Sequence, residues 1–366
     1  MQPEQKKILY ITLIVVIIVL AIVLGLVFGL RKSDEEKKET PDKKDDEIDV
    51  LNLYNNTAEL IKLFPVINNT TVLPDIEEKI QNRLLTGFVN WNRGFKTWKA
   101  WGNILYTNES IYNVHGARLS LAHYQAAMDI SLQKADIQMG AFHNMLITGN
   151  FCAIHYDFTT KGKTSKVMEF VRFTDYGSET NPDTRVVEGW GSTKDDSYYG
   201  LINFQGKEER EEQEKQNKFN LDYQIPTTDN LTEKYNITYP TKYLDENADD
   251  IFQILLKGFD EWNEGASNYI QWVNEYFAEN ATSSSLDERV RNMDQYKSEI
   301  NERFQKEKIT KLYFDNVLIR ENWAALHYRF RTENLKSTNK TVGDRMEFYK
   351  FQEIEGNLKI VANWIQ

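Results

Sequence analysis

The chain has 366 residues, enough for two or three domains of ordinary size, and 41% hydrophobic with 13% aromatic content fills cores and excludes general disorder. Its 55 acidic against 44 basic side chains leave a formal net charge of −11, which argues against a nucleic-acid surface, since such surfaces need clustered cations to displace counterions from phosphates. Cys152 is the one cysteine, so no intrachain disulfide can form.

Ile8 to Leu30 is a run of 23 residues without a charge, almost all Ile, Val and Leu. As a helix it would span roughly 34 Å, against a hydrocarbon core of about 30 Å. It lacks the short apolar stretch and small-residue cleavage site of a signal peptide, so an uncleaved single-pass membrane anchor is expected within residues 1–32. Gly25 and Gly29 place a GxxxG pairing face in that span. Lys6 and Lys7 precede the run and Arg31, Lys32, Lys37 and Lys38 follow it, which leans towards a cytoplasmic body. Eight N-x-S/T sequons lean the other way: Asn55, Asn68, Asn69, Asn108, Asn230, Asn236, Asn280 and Asn339. The expectation is a glycosylated lumenal or extracellular body. Residues 33–70 open with an almost wholly charged stretch and read as a stalk.

Beyond the stalk, one pattern occurs twice. Leu84 to Trp101 returns as Leu255 to Trp272 with eight of eighteen positions identical, and Met145 to Phe158 returns as Val317 to Phe330 with seven of fourteen. A period this long means tandem globular domains, not a solenoid. Asp75 and Glu78 after Pro74 mark a helix start. Ile76, Ile80, Leu84, Phe88, Trp91, Phe95 and Trp98 then put an apolar stripe on one face of a long helix, repeated by Leu255, Phe259, Trp262, Ala266 and Tyr269. A further helix carries Leu121, Tyr124 and Met128, matched by Met293, Tyr296 and Ile300. The period then changes to two over Met145–Phe158, Val167–Phe173 and Thr184–Trp190, and again over Leu312–Phe330, Arg345–Phe351 and Leu358–Trp364, as in strands. The predicted domains are 71–205 and 246–366, with a charged linker of solvated helix and coil over 206–245.

Helices followed by long antiparallel strands give an α+β layout. A long helix ending in Trp, a helix, then N-F-C-A-I-H-Y-D-F, M-E-F-V-R-F-T-D-Y-G and V-V-E-G-W resembles the nuclear transport factor 2-like superfamily, in its SnoaL-like (polyketide cyclase-like) branch. The resemblance covers roughly 75–205 and 246–366. It implies two cone-shaped α+β barrels, in each of which a strongly curved, mainly antiparallel sheet wraps helices around an apolar pocket. Such barrels serve as cyclases, isomerases and dehydratases and as non-catalytic binding or assembly domains, so the fold does not decide the function.

No phosphate-binding glycine loop, zinc-ligand spacing or nucleophile elbow is present, and neither cofactor nor metal is expected. Alternation puts Cys152, Ile154, Tyr156 and Phe158 on the apolar, inward face, matched by Ala324, Leu326, Tyr328 and Phe330. His155 and His327 then fall on the outer face with Phe151, Trp323 and Ala325, a face apolar enough to pair with the other domain or a second molecule. Glu169 and Glu347 are the candidate catalytic or pocket carboxylates, each on a face with aromatic or β-branched neighbours that would raise its pKa. Tyr156 and Tyr328 are their expected neighbours, and Trp91 and Trp262 head aromatic stripes that belong to core or pocket wall. The leading expectation is a membrane-anchored, non-catalytic module for ligand binding or protein assembly. Its rival is a cofactor-independent cyclase, isomerase or dehydratase acting on a hydrophobic small molecule.

Overall fold

A computed structural model describes residues 57–366 other than 75, 115, 135–136, 161, 175–183, 194–200, 242–244, 288 and 338, and other than the side chains at 69, 131–134 and 201–202. The expected anchor, most of the stalk, the Asn55 sequon and the Asp75 cap lie outside the described residues. Among the described residues no helix is long and apolar enough to cross a membrane.

Helix α1 (Thr57–Leu63) and strand β1 (Val66–Asn69) come first, then α2 (Ile76–Asn92), α3 (Phe95–Leu105), β2 (Tyr106–Val114), β3 (Ala117–Ser120) and α4 (Leu121–Lys134). Four strands complete the first copy: β4 (Ile137–Thr148), β5 (Phe151–Thr160), β6 (Lys163–Phe173) and β7 (Val186–Thr193). Helices α5 (Lys207–Asp222) and α6 (Leu231–Lys234) lead to the second: β8 (Ile237–Tyr239), α7 (Ala248–Glu264), α8 (Ala266–Tyr276), β9 (Phe277–Ser285), β10 (Val290–Arg291) and α9 (Met293–Lys306). Strands β11 (Glu307–Arg320), β12 (Trp323–Asn334), β13 (Lys340–Ile354) and β14 (Asn357–Ile365) end the chain. The two seven-stranded sheets have one topology, β1-β4-β5-β6-β7-β2-β3 and β8-β11-β12-β13-β14-β9-β10. Strands β1 and β8, inside the segments expected to be stalk and linker, pair in parallel with β4 and β11 and so extend each sheet beyond the expected boundaries.

The apolar stripe does not run along one long helix. It is cut at Gly94 (φ 106°) and at Gly265 (φ 125°), backbone angles that suit glycine, and the stripe resumes on α3 and α8. Two glycines let the helices of each pair touch. A Cβ on Gly87 would stand 2.4 Å from the Trp101 ring, and one on Gly258 the same distance from Trp272. A half-buried asparagine then ties each α2-type helix to its sheet. Asn92 Nδ2 donates to Met139 O (3.1 Å) and Asn92 Oδ1 accepts from Met139 N (2.7 Å); Asn263 makes the same two bonds to Lys311 (2.9 and 2.8 Å).

The expected strand over Met145–Phe158 is a hairpin turning at Gly149 and Asn150, with Gly149 at φ 58°. Its counterpart turns at Glu321, an uncommon non-glycine at φ 54°, whose N–H donates to Asp245 Oδ2 at 2.9 Å. Cys152, Ile154, Tyr156 and Phe158 face the helices in the first core, and Ala324, Leu326 and Tyr328 do so in the second. The opposite faces of the two sheets meet in a third apolar cluster. Leu146, Phe151, Met168 and Phe170 lie there with their equivalents Leu318, Trp323, Met346 and Phe348. Helix α5 is not a detached linker: Glu209 accepts from Ser120 N–H (2.7 Å) in the first copy, and Asn220 accepts from the Tyr313 hydroxyl (2.7 Å) in the second.

Candidate functional site

Each set of helices covers the concave side of its sheet and leaves a cavity against it, and the two cavities differ. The first holds about 70 Å³ and is walled by Trp91, Trp98, Trp101 and Tyr112 around Glu169. That is far below the ~300–1,000 Å³ of ligand pockets. Tyr156 donates its hydroxyl to Glu169 Oε1 at 2.9 Å. Tyr156 faces Val167 across the ladder and Glu169 faces Ile154, so the two meet as a diagonal pair on one face. Burial pushes the Glu169 carboxyl up to about 7, while hydrogen bonds from Tyr156 and Tyr112 hold it lower than burial alone would.

The second cavity holds about 260 Å³. Tyr328 donates to Glu347 Oε1 at 2.6 Å in the same diagonal arrangement, and the Tyr349 hydroxyl takes Oε2. Trp262 lines the wall, its indole N–H donating to Ile309 O at 3.0 Å. The structure thus places Tyr156, Glu169 and Trp91 in one barrel and Tyr328, Glu347 and Trp262 in the other.

Sequence reasoning missed the basic side chains of the second cavity. Lys311 is only 5% exposed, and its ammonium sits 5.0 Å from the ring centres of Phe259, Trp262 and Tyr328 and 5.6 Å from that of Tyr269. Among the described residues no carboxylate comes within ion-pair distance of it. Burial pulls its pKa down to about 8, against the attraction of Glu347. Arg345, over the Phe330 ring at 5.1 Å, and Arg291 and Arg303 complete this wall. A strand lysine ordinarily reads as solvent-facing, yet Lys311 lies two residues after the core residue Ile309 in unbroken register and so shares its inward face. The duplication held the signal. Position by position, Met139 becomes Lys311, Val167 becomes Arg345 and Leu119 becomes Arg291.

A larger cleft of about 570 Å³ lies beside α5, where both sheets contribute. Its two arginines are paired, Arg329 with Asp315 (2.5 Å) and Arg118 with Glu188 (3.6 Å), and Glu212 and Asp344 add further carboxylates. His155 and His327 lie in the contact between the sheets. His155 packs near Phe348 at 6.1 Å and His327 near Phe170 at 5.5 Å. Burial, and then the neighbouring His143 and Lys166, hold His155 well below the ordinary histidine range, so it is neutral. His327 Nε2 bonds Asp344 at 2.9 Å. Both histidines tie the copies together and neither lines the two barrel cavities. Among the described residues no group of His, Cys, Asp and Glu is arranged to hold a metal ion.

Solved structures described as ketosteroid isomerase-like, SnoaL-like and NTF2-like are each similar to about a third of this chain. A ketosteroid isomerase-like protein from Erwinia carotovora atroseptica shares 12% identity, over 33% of this chain and 96% of its own, with a TM-score of 0.28. A provisionally named SnoaL-like polyketide cyclase from Jannaschia shares 12%, over 34% and 90%, at 0.29. An NTF2-like protein of unknown function from Shewanella oneidensis shares 17%, over 32% and 96%, at 0.25. No family model and no curated protein matches the chain.

Proposed function

We propose that this is a membrane-anchored small-molecule-binding protein in which the second barrel holds the ligand and the first is a filled copy that braces it. The observation that supports this reading most is the contrast between the cavities: about 70 Å³ around one carboxylate, against about 260 Å³ with Lys311, Arg345 and Glu347 converging on it. The anchor rests on the uncharged run Ile8–Leu30. Fragment screening by NMR tests the ligand site. Fragments that bind should move the Trp262 indole N–H resonance and leave that of Trp91 in place. A library that moves neither, or only Trp91, overturns the reading.

A second reading is acid–base catalysis by the same cavity, favoured by a carboxylate and a lysine lining one space. Glu347→Gln separates the two. It should abolish turnover of a bound compound if that reading holds, and change only affinity if the binding reading holds.

The lumenal or extracellular orientation is supported by exposed sequons at Asn108, Asn230, Asn236, Asn280 and Asn339. Asn68 is a poor acceptor, since its amide donates to His143 O (3.0 Å) and Asn144 Oδ1 (3.1 Å). Glycosidase treatment of protein from its native host should shift gel mobility, and Asn68→Gln should leave that shift intact. Absence of any shift, with cytosolic protease access to the body, would reverse the orientation.

A further inference from the structure

The second cavity differs from the first in charge as well as in size. Two wall positions that are apolar in the first barrel, Met139 and Val167, carry Lys311 and Arg345 in the second, and Arg291 joins them there. The equivalence is geometric, because the same asparagine clamp holds Met139 and Lys311, and Tyr156 and Tyr328 face Val167 and Arg345 across the ladder. Glu347 is the carboxylate that faces both Lys311 and Arg345, and its two oxygens already accept from Tyr328 and Tyr349. Arg291 is 8% exposed; it gives Nη1 to Glu299 at 3.1 Å and leaves Nε and Nη2 without a partner. Arg303 is taken up by Glu307 at 2.6 Å. The wall therefore holds buried donors and positive charge in excess of its acceptors, beside aromatic rings.

We propose that the second barrel binds a small organic anion with an apolar or aromatic body, the anionic group meeting Lys311 and Arg345 and the body lying against Trp262 and Tyr269. This rests on the reading of that barrel as the ligand site. Aromatic faces stabilise the unpaired ammonium until the ligand arrives, and a planar carboxylate can accept two donors from Arg345. A neutral ligand of equal shape would leave Lys311 and the spare Arg291 donors unmatched.

Benzoate and benzamide, near-equal in shape and unequal in charge, are the test probes, with the Trp262 indole resonance as readout. Benzoate should saturate the site at a concentration at least tenfold lower than benzamide. Lys311→Met, which installs the first barrel's residue, should erase that preference while benzamide binding holds or improves. Should the variant not fold, the unmodified protein carries a second arm. Benzoate affinity should fall severalfold between pH 7 and 10 as Lys311 loses its proton, and benzamide affinity should stay flat. Equal affinities in the unmodified protein, or a benzoate affinity that neither Lys311→Met nor high pH weakens, would overturn the anion assignment. Benzamide binding alone leaves the site standing and removes the anion. Binding of neither probe, with a fragment library also silent at Trp262, removes both readings.

Discussion

Glu169 and Lys311 are each held far from their ordinary proton affinity by burial, and each should leave a mark on stability. Glu169 binds its proton more tightly folded, with a pKa of about 7, than in the unfolded chain, near 4.3. Its contribution is therefore fully present below about pH 4.3 and lost as pH rises through 7, a swing on the order of 3 kcal/mol. Glu169→Gln should consequently raise Tm at pH 8 and leave it nearly unchanged at pH 4, as read by thermal melts at the two values. Lys311 has the opposite sign. Its folded pKa of about 8 lies below the unfolded value, so the folded state resists protonation there. Stability is reduced in full below pH 8 and recovers as pH rises towards 10.4. Lys311→Met should stabilise the protein by up to about 3 kcal/mol at pH 7 and by little at pH 10. Denaturant melts at the two pH values measure the difference. Glu169 and its Tyr156 partner were legible because a period of two fixes which side chains share a face. Lys311 was not, because a charged strand residue is ordinarily an outward one, and its place two residues after Ile309 did not outweigh its charge.

At the scale of elements, the helical stripe was readable and its interruption was not. Gly94 and Gly265 were visible as letters, yet the apolar spacing continues across them, and helical periodicity does not register a bend that preserves the face. The short edge strands β1 and β8 escaped for another reason. They hold four and three residues, too few for any period to show. The glycines under the tryptophans give a direct check of helix packing. Gly87→Ala gains roughly 1 kcal/mol of helix propensity but forces a Cβ into Trp101, and overpacking of this kind costs about 1–3 kcal/mol. The net change should be a loss, with the Trp101 emission shifted as the ring moves. A buried ion pair across the copies, Arg320 Nη2 to Glu77 Oε1 at 2.5 Å, links the end of β11 to the start of α2. Arg320→Leu leaves Glu77 with only the Leu73 and Gly149 amides and should cost about 3–5 kcal/mol in denaturant melts.

For the whole molecule, the contact between the sheets is built from equivalent residues. Phe151 and Trp323, Ala153 and Ala325, and Phe170 and Phe348 each enter it from their own copy. Trp323→Glu would bury a charge there and should cost more than the roughly 3–5 kcal/mol of a tryptophan truncation, with hydrogen exchange rising along β5 and β12 together. Unchanged stability in that variant would show that the sheets do not hold the body together.

Equivalent patches meeting one another is the geometry of a twofold dimer, here closed within one polypeptide. The connection need not be covalent for such a surface to find its mate. The segment after Tyr223 runs to Asn230 without helix or strand, and it offers a place to sever the chain. Two fragments cut there and produced separately should recombine into a working whole, which would make this protein a natural starting point for a split reporter.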